Sequence, residues 1–335
     1  MVKITVFATV TRSPPHTGLG RYASAIARGL HSKFYFAQVN TEVPPGYDKV
    51  IKVFRVRPTL IIDTFLYDIF CKQVTEQNVF LPHIDFLNHA KHKIIVATLH
   101  DLSFLKWVNL QYTTYMKFML KHLHEAAYII LPSHFTLMEL DGFLMKRKLD
   151  LPPYKVIYHG NYLPVRYTHE EASKKLRELY GIPENKRIIL NVANAQPRKD
   201  LPRLRRIKEK LGDNYFLITV GKDNVYGDKS IGTITDDSLS MLYAGSDVYL
   251  STSLEEGFEL PLVEAAAHGL PAVVTDIPIH WELGKQLKLF PYETDEEAVE
   301  RIKEAQEVRV TLPDYFRVER VLKEHEEVFR KVFVN

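Results

Sequence analysis

A chain of 335 residues, 46% hydrophobic and 25% charged, has the composition of a globular protein, and at roughly 150 residues per domain it is long enough for two. Its 44 Lys and Arg against 41 Asp and Glu leave a formal charge of +3, too near balance for a nucleic-acid binder that works through bulk charge. Cys71 is the only cysteine. That excludes disulfide frameworks and thiolate metal clusters, and it fits a reducing, cytoplasmic compartment. The run from Met1 to Val10 is too short for a membrane span and has no small-residue cleavage pattern.

Short β-branched runs alternate with longer helical patterns, which predicts parallel sheets covered by helices on both faces. Strands are predicted at 2–10, 34–39, 50–55, 78–81, 93–99, 127–131 and 154–158, with helices at 20–31, 58–72, 109–125 and 134–146. A polar stretch at 161–170 reads as a linker. Beyond it follow a helix at 171–180, strands at 187–192, 215–220, 248–251 and 272–275, and helices at 200–211, 236–245, 260–268 and 295–307. A last helix over 314–333 carries Phe316, Val318, Val321, Leu322, Val328, Phe329 and Val332 at helical spacing. The fold class is α/β, with two Rossmann-like parallel-sheet domains at 1–165 and 166–312 facing across a cleft, and ligands of such sheets bind at the carboxyl ends of the strands.

The richest segment runs from Ser246 to Asp276. A strand enters a loop holding Glu256, Gly257 and Phe258, then a helix of small residues containing Glu264, then Gly269 as a stop and another buried strand. Backbone N–H groups at the start of that helix suit an anionic or hydroxyl-rich ligand. The Glu264 carboxylate can accept from two adjacent hydroxyls such as those of a ribose, while Glu256, in the loop, can reach a second hydroxylated group. Upstream, the strand at 187–192 ends in a polar turn with adjacent cations, Arg198 and Lys199. An Arg fork beside a Lys point charge suits a diphosphate, and cations near a helix start oppose the helix dipole, which favours a ligand-facing role over an exposed basic turn.

In the first half, the strand at 93–99 ends in His100 and Asp101, where a histidine can donate to a sugar hydroxyl and an adjacent carboxylate can orient it. The loop from Pro14 to Ala23 brings Gly18 and Gly20 to the start of a helix, close enough for backbone to approach a phosphate. Gly18 and Gly20 also open a G-x-G-x-x-A dinucleotide fingerprint with Glu42 downstream, but Thr11–Thr17 separate it from the strand. His122 and His124 share no metal-ligand spacing, and no metal site is predicted. A stripe of Trp107, Tyr112, Tyr115, Met116, Phe118 and Met119 flanked by Lys106, Lys117 and Lys121 has two readings, a core face and a peripheral membrane contact, of which the core face is preferred.

The Glu256 to Glu264 stretch resembles the Glu-x7-Glu signature of retaining nucleotide-sugar glycosyltransferases of the glycosyltransferase group 1 type. The segment from Ile231 to Asp247 is similar to that family's lead-in, and Arg198 and Lys199 match its pyrophosphate-binding pair. Residues 129–136 and 156–161 look like two further strand ends of the family. The resemblance implies a GT-B-like fold whose 313–335 helix crosses back to the first domain. It also implies a nucleotide diphosphate-sugar donor, transfer with retention, and no metal cofactor. On that pattern His100, Arg198, Lys199 and Glu256 serve the chemistry, while Gly18, Gly20, Glu264, Phe258, Glu259 and Leu260 contact the donor. Two departures stand out. Thr17 replaces the first glycine of the family's N-terminal loop, and Glu259 stands where the family carries glycine, so that its side chain could crowd the sugar or add a third carboxylate. The acceptor, whether glycan, lipid-linked or protein, is open. Alternatives are a nucleotide-sugar epimerase or phosphorylase of similar architecture, an NAD-dependent oxidoreductase resting on the Gly18 loop, and a non-catalytic sugar-nucleotide binding protein.

Overall fold

The computed structural model describes residues 2–6, 17–32, 34–40, 49–52, 77–84, 87 and 93–334. The predicted helix at 58–72, Cys71, Glu42 and the turn from Thr11 to His16 lie outside the described residues. The chain divides into two compact units, residues 1–159 with 318–335, and residues 160–317. The boundary falls just ahead of the polar stretch read as a linker.

In the first unit, β1 (Val2–Val6), β2 (Phe34–Asn40), β3 (Lys49–Lys52), β4 (Asn78–Leu81), β5 (Ile94–Thr98), β6 (Tyr128–Leu131) and β7 (Tyr154–Val156) form one sheet in the order β3-β2-β1-β4-β5-β6-β7. Every pairing in it is parallel. Parallel strands buried on both faces need continuous apolar runs, and Val79, Phe80, Leu81, Ile95, Val96, Ala97, Ile129, Ile130 and Leu131 supply them. Helix α1 (Gly18–Leu30) follows β1, and α2 (Leu110–Lys121) and α3 (His134–Met145) flank β6 in sequence. Thr17 and Ser133 cap α1 and α3 by accepting from Gly20 N–H at 3.2 Å and Thr136 N–H at 3.0 Å. The aromatic stripe of α2 is a core face. Met116 and Met119 are buried, Tyr112 and Tyr115 pack on the same cluster, and Phe118 is exposed.

The second unit contains β8 (Arg187–Val192), β9 (Tyr215–Val220), β10 (Lys229–Ile231), β11 (Val248–Leu250), β12 (Ala272–Thr275) and β13 (Leu289–Tyr292), all parallel, in the order β10-β9-β8-β11-β12-β13. Its helices are α4 (His169–Tyr180), α5 (Pro202–Leu211), α6 (Asp236–Gly245), α7 (Leu260–Ala267), α8 (Pro278–Gly284) and α9 (Asp295–Ala305). No helix intervenes between β9 and β10, so the segment 221–228 is a plain loop. The terminal helix α10 (Val318–Phe333) belongs to the first unit, where it packs against α1. The predicted helix start at 314 is instead a 3-10 turn, Asp314–Phe316, in the second unit.

Gly245 closes α6 against α4 with no room for a side chain: a Cβ there would stand 2.7 Å from the carbonyl carbon of Ala172 and 2.8 Å from the Ser173 nitrogen. Both obstacles are backbone, so the G245A variant is expected to lose about 2–3 kcal/mol in urea denaturation. An unchanged midpoint would show that the two helices part freely at this point.

Candidate active site

In the second sheet the strand order turns about β8 and β11, which are neighbours although α5, β9, β10 and α6 separate them in sequence. Ligands of doubly wound sheets bind in the crevice at such a switch point, beyond the carboxyl ends of the strands. The two loops leaving β8 and β11 carry Arg198, Lys199 and Glu256.

Arg198 and Lys199 do not begin a helix. They occupy a 3-10 turn, Pro197–Lys199, closed by Asp200 at φ 38°, ahead of α5. The loops are stitched together by backbone and side chain. Leu254 N–H donates to the Arg198 carbonyl at 2.7 Å, and the Thr252 hydroxyl donates to the Lys199 carbonyl at 2.7 Å. Arg198 Nη1 donates to the Glu255 carbonyl at 2.9 Å and to Glu256 Oε2 at 2.5 Å, while Lys199 Nζ donates to Glu256 Oε1. The three side chains are only 14%, 12% and 6% exposed. Burial alone pushes a carboxyl up, but Lys199 and Arg198 outweigh it and hold Glu256 down at about 2. Two cations against one carboxylate leave one positive charge over at the switch point. From sequence alone Glu256 reads as a ligand of a hydroxylated group and the cations as ligands of a diphosphate, with no pairing between them.

Two further carboxylates are buried nearby, each with its own partners. Glu264, inside α7, accepts from the Tyr243 hydroxyl at 2.9 Å. The Tyr243 ring stacks on His268 at 5.5 Å, whose Nδ1 donates to the Glu264 carbonyl at 2.7 Å. Glu259 precedes α7 at φ 65° and ψ 70°, and its carboxylate accepts from the Ser251 hydroxyl at 2.6 Å and pairs with His280 Nε2 at 2.6 Å. Its side chain therefore meets protein partners at both oxygens. The Tyr249 phenol records all three groups: burial first, then Glu259, Glu256 and Glu264, push it well above its usual value. Phe258 is a packing residue, buried with its ring 6.3 Å from Phe316, and Leu260 is half-buried at the first position of α7.

In the first unit His100 follows β5, and its ring is fixed at both nitrogens. Nε2 lies 2.6 Å from the Pro82 carbonyl and so donates to it, and Nδ1 shares a hydrogen bond with His159 Nε2 at 3.1 Å. The His100 ring lies near-parallel to those of His83 and His159, at 5.9 and 5.1 Å, and makes a T-shaped contact with Tyr22 at 5.3 Å. Asp101 does not orient His100. Its Oδ1 accepts from Ser103 N–H at 3.0 Å and Ser103 Oγ at 2.7 Å, closing a local turn. Local sequence does not group Tyr22, His159 and His325 with His100. Gly18 and Gly20 do open α1, but the Gly20 N–H is taken by the Thr17 cap. That cap explains why a threonine serves where the family pattern has glycine. Among the described residues no three His, Cys, Asp or Glu side chains converge as a metal-ligand set, and no helix is long and apolar enough to cross a membrane.

Residues 172–313 match the family model described as glycosyl transferases group 1. The second unit is a group 1 glycosyltransferase domain. The serotype-specific mannosyltransferase WbdA of Escherichia coli is 30% identical over a stretch covering 32% of this chain and 17% of its own length, so this chain spans a minor part of that relative. Solved structures align over the whole chain. Sucrose-phosphate synthase from Thermosynechococcus elongatus gives a TM-score of 0.78 at 15% identity, with 100% of both chains covered. Anabaena HepE, in complex with UDP-glucose, gives 0.76 at 17% identity, covering 99% of this chain and 100% of its own. WaaG, a glycosyltransferase involved in lipopolysaccharide biosynthesis, gives 0.71 at 15% identity over 100% of both. Two Rossmann-like units in one chain, the second of them a group 1 domain, make this a GT-B fold.

Proposed function

We propose that this protein transfers a sugar from a nucleotide diphosphate donor to an acceptor hydroxyl, with retention at the anomeric carbon. The observation that carries the reading is the Arg198–Lys199–Glu256 group at the switch point, where a buried carboxylate preorganises two cations and leaves a positive charge for the diphosphate. Arg198 and Lys199 hold the pyrophosphate and stabilise the charge that grows on it as the glycosidic C–O bond breaks. Glu264 takes the ribose hydroxyls, exchanging its Tyr243 bond for them or sharing it. Glu256 takes the sugar hydroxyls through the carboxylate lone pairs that Arg198 and Lys199 leave open. The acceptor oxygen bonds to the anomeric carbon on the face the phosphate leaves, and the acceptor proton passes to the departing phosphate oxygen. The group 1 match and the bound UDP-glucose of the HepE structure support the donor class. No metal is needed where fixed cations carry this charge, and a cytoplasmic, metal-independent enzyme is the reading we adopt.

Calorimetry with UDP-, GDP- and ADP-linked hexoses tests the donor class. One of them is expected to bind with micromolar affinity and to lose that affinity in the R198A/K199A variant. With the matching acceptor, transfer should persist in EDTA, and product NMR should show the donor's anomeric configuration. Binding by none of the nucleotide sugars would reject the reading, and loss of transfer in EDTA would reject metal independence.

A further inference from the structure

We propose that Glu259 is a positioning residue: together with His280 and Ser251 it forms a buried clamp that fixes the 251–259 loop and with it the setting of Glu256. The inference rests on reading Arg198, Lys199 and Glu256 as the donor site.

The backbone at Glu259 is left-handed, at φ 65°. A residue with a Cβ pays roughly 1–2 kcal/mol for that conformation, and glycine does not. The group 1 pattern has glycine here, so the glutamate must gain through its side chain what it loses in backbone. Its carboxylate is also removed from water, with the Glu259 and His280 side chains 2% and 1% exposed. Only partners can offset both costs.

Those partners form a saturated chain. His280 Nδ1 lies 2.6 Å from the Thr275 carbonyl oxygen, which can only accept, so Nδ1 carries a proton. His280 Nε2 lies 2.6 Å from Glu259 Oε2, and the proton between them sits on one or the other, as imidazolium with carboxylate or as imidazole with carboxylic acid. Glu259 Oε1 accepts from the Ser251 hydroxyl at 2.6 Å. In either protonation state the pair is neutral overall and every hydrogen-bonding position named is occupied.

The chain joins separate elements. Ser251 follows β11, Thr275 ends β12, Glu259 precedes α7 and His280 lies on α8. The Thr275 hydroxyl also donates to the Ser253 carbonyl at 2.5 Å, and the Tyr292 hydroxyl to the Ser251 carbonyl at 2.8 Å. Glu256 sits in the middle of a loop held at its first residues by β12 and β13 and at its last by the Glu259–His280 pair. A glycine at 259 would permit the same turn, but nothing would anchor its far end to α8.

Hydrogen exchange read by mass spectrometry, with nucleotide diphosphate binding alongside, separates the clamp from a merely tolerated side chain. The E259G variant relieves the backbone and restores the family residue, so a tolerated side chain predicts equal or greater protection. The clamp predicts the opposite: exchange over 252–262 roughly tenfold faster or more, with β8 and β9 protected as before. H280A, which leaves the backbone at 259 untouched, should show the same local loss. E259Q, which keeps a donor and an acceptor at the two contacts, should retain protection to within about threefold. UDP and GDP serve as binding probes, and whichever binds the wild type should bind E259G about tenfold more weakly. Wild-type protection over 252–262 in both E259G and H280A overturns the clamp. If the wild type binds neither probe, the donor reading fails by itself, and the exchange result still decides the clamp.

Discussion

Turnover of the R198A/K199A double variant is expected to fall by roughly three orders of magnitude or more, since a single preorganised donor to developing charge is worth 10² to 10³. Stability falls too, and the two losses must be told apart. Glu256 sits lowered to about 2 from an ordinary value of 4.5. A carboxyl lowered on folding contributes stability that is present above the unfolded value and lost as pH falls through the folded one, on the order of 3 kcal/mol at neutral pH for this shift. Removing both cations strands the buried carboxylate and is expected to cost about 3–5 kcal/mol. Adding E256Q to the double variant removes the stranded charge, so most of the lost stability should return while turnover stays low. Urea denaturation beside kcat/KM for donor measures both. Turnover that recovers with stability in the triple variant would mean that the cations only hold the loop, and the assigned role would be withdrawn.

Much of the second unit is legible in the sequence because its strands are continuous β-branched runs between helical segments. Arg187–Val192, Tyr215–Val220 and Ala272–Thr275 have the bounds that pattern predicts. β13 escapes it because Pro291 interrupts Leu289–Tyr292, as happens on an edge strand, and that is where β13 lies. α8 escapes because seven residues are too few to show a helical period. The residues of the site are legible as types, and their pairings are not. Arg198 and Glu256 are 58 positions apart, His100 and His159 are 59 apart, and Tyr22 and His325 are 303 apart. Which of them meet depends on strand order, which local spacing does not encode. Glu259 shows this most plainly. From sequence it is a carboxylate facing the sugar, but a left-handed backbone turns it toward His280 instead. The likeness to group 1 enzymes flagged the departure at 259, and only the fold supplies its partner.

Acid is expected to destabilise the first unit well before it reaches the Glu256 group, through histidines held neutral. His325, on the buried face of α10, donates from Nδ1 to the Val321 carbonyl at 2.8 Å and accepts at Nε2 from the Tyr22 hydroxyl at 2.8 Å, and that hydroxyl in turn accepts from Thr98. Both ring nitrogens are used as a neutral imidazole uses them. Burial lowers His325 from 6.5 to about 4, with Lys155 adding to it and the Val321 bond opposing. His159 is also lowered, by burial first and then by His100 and His325. Because the folded values are depressed, the unfolded chain takes up protons that the folded unit refuses once pH drops below about 6.5, and stability falls until the folded value is reached. For His325 alone the loss at pH 4.5 is about 2.5 kcal/mol relative to pH 8. The carboxyl of Glu256 contributes only about 0.4 kcal/mol of loss by pH 4.5, its ordinary value, and most of its loss comes below that, so the interval from 6.5 to 4.5 belongs mainly to the histidines. The chain's two tryptophans are Trp107 in the first unit and Trp281 in the second, so a W281F background leaves fluorescence reporting on the first unit alone. In that background, the drop in unfolding free energy between pH 8 and pH 4.5 should be smaller by about 2 kcal/mol in H325Q than in the parent. Gln offers a donor and an acceptor without a titrating ring. An equal drop in the two proteins would show that His325 takes up its proton within the fold, and that the Tyr22–His325 contact tolerates the charge.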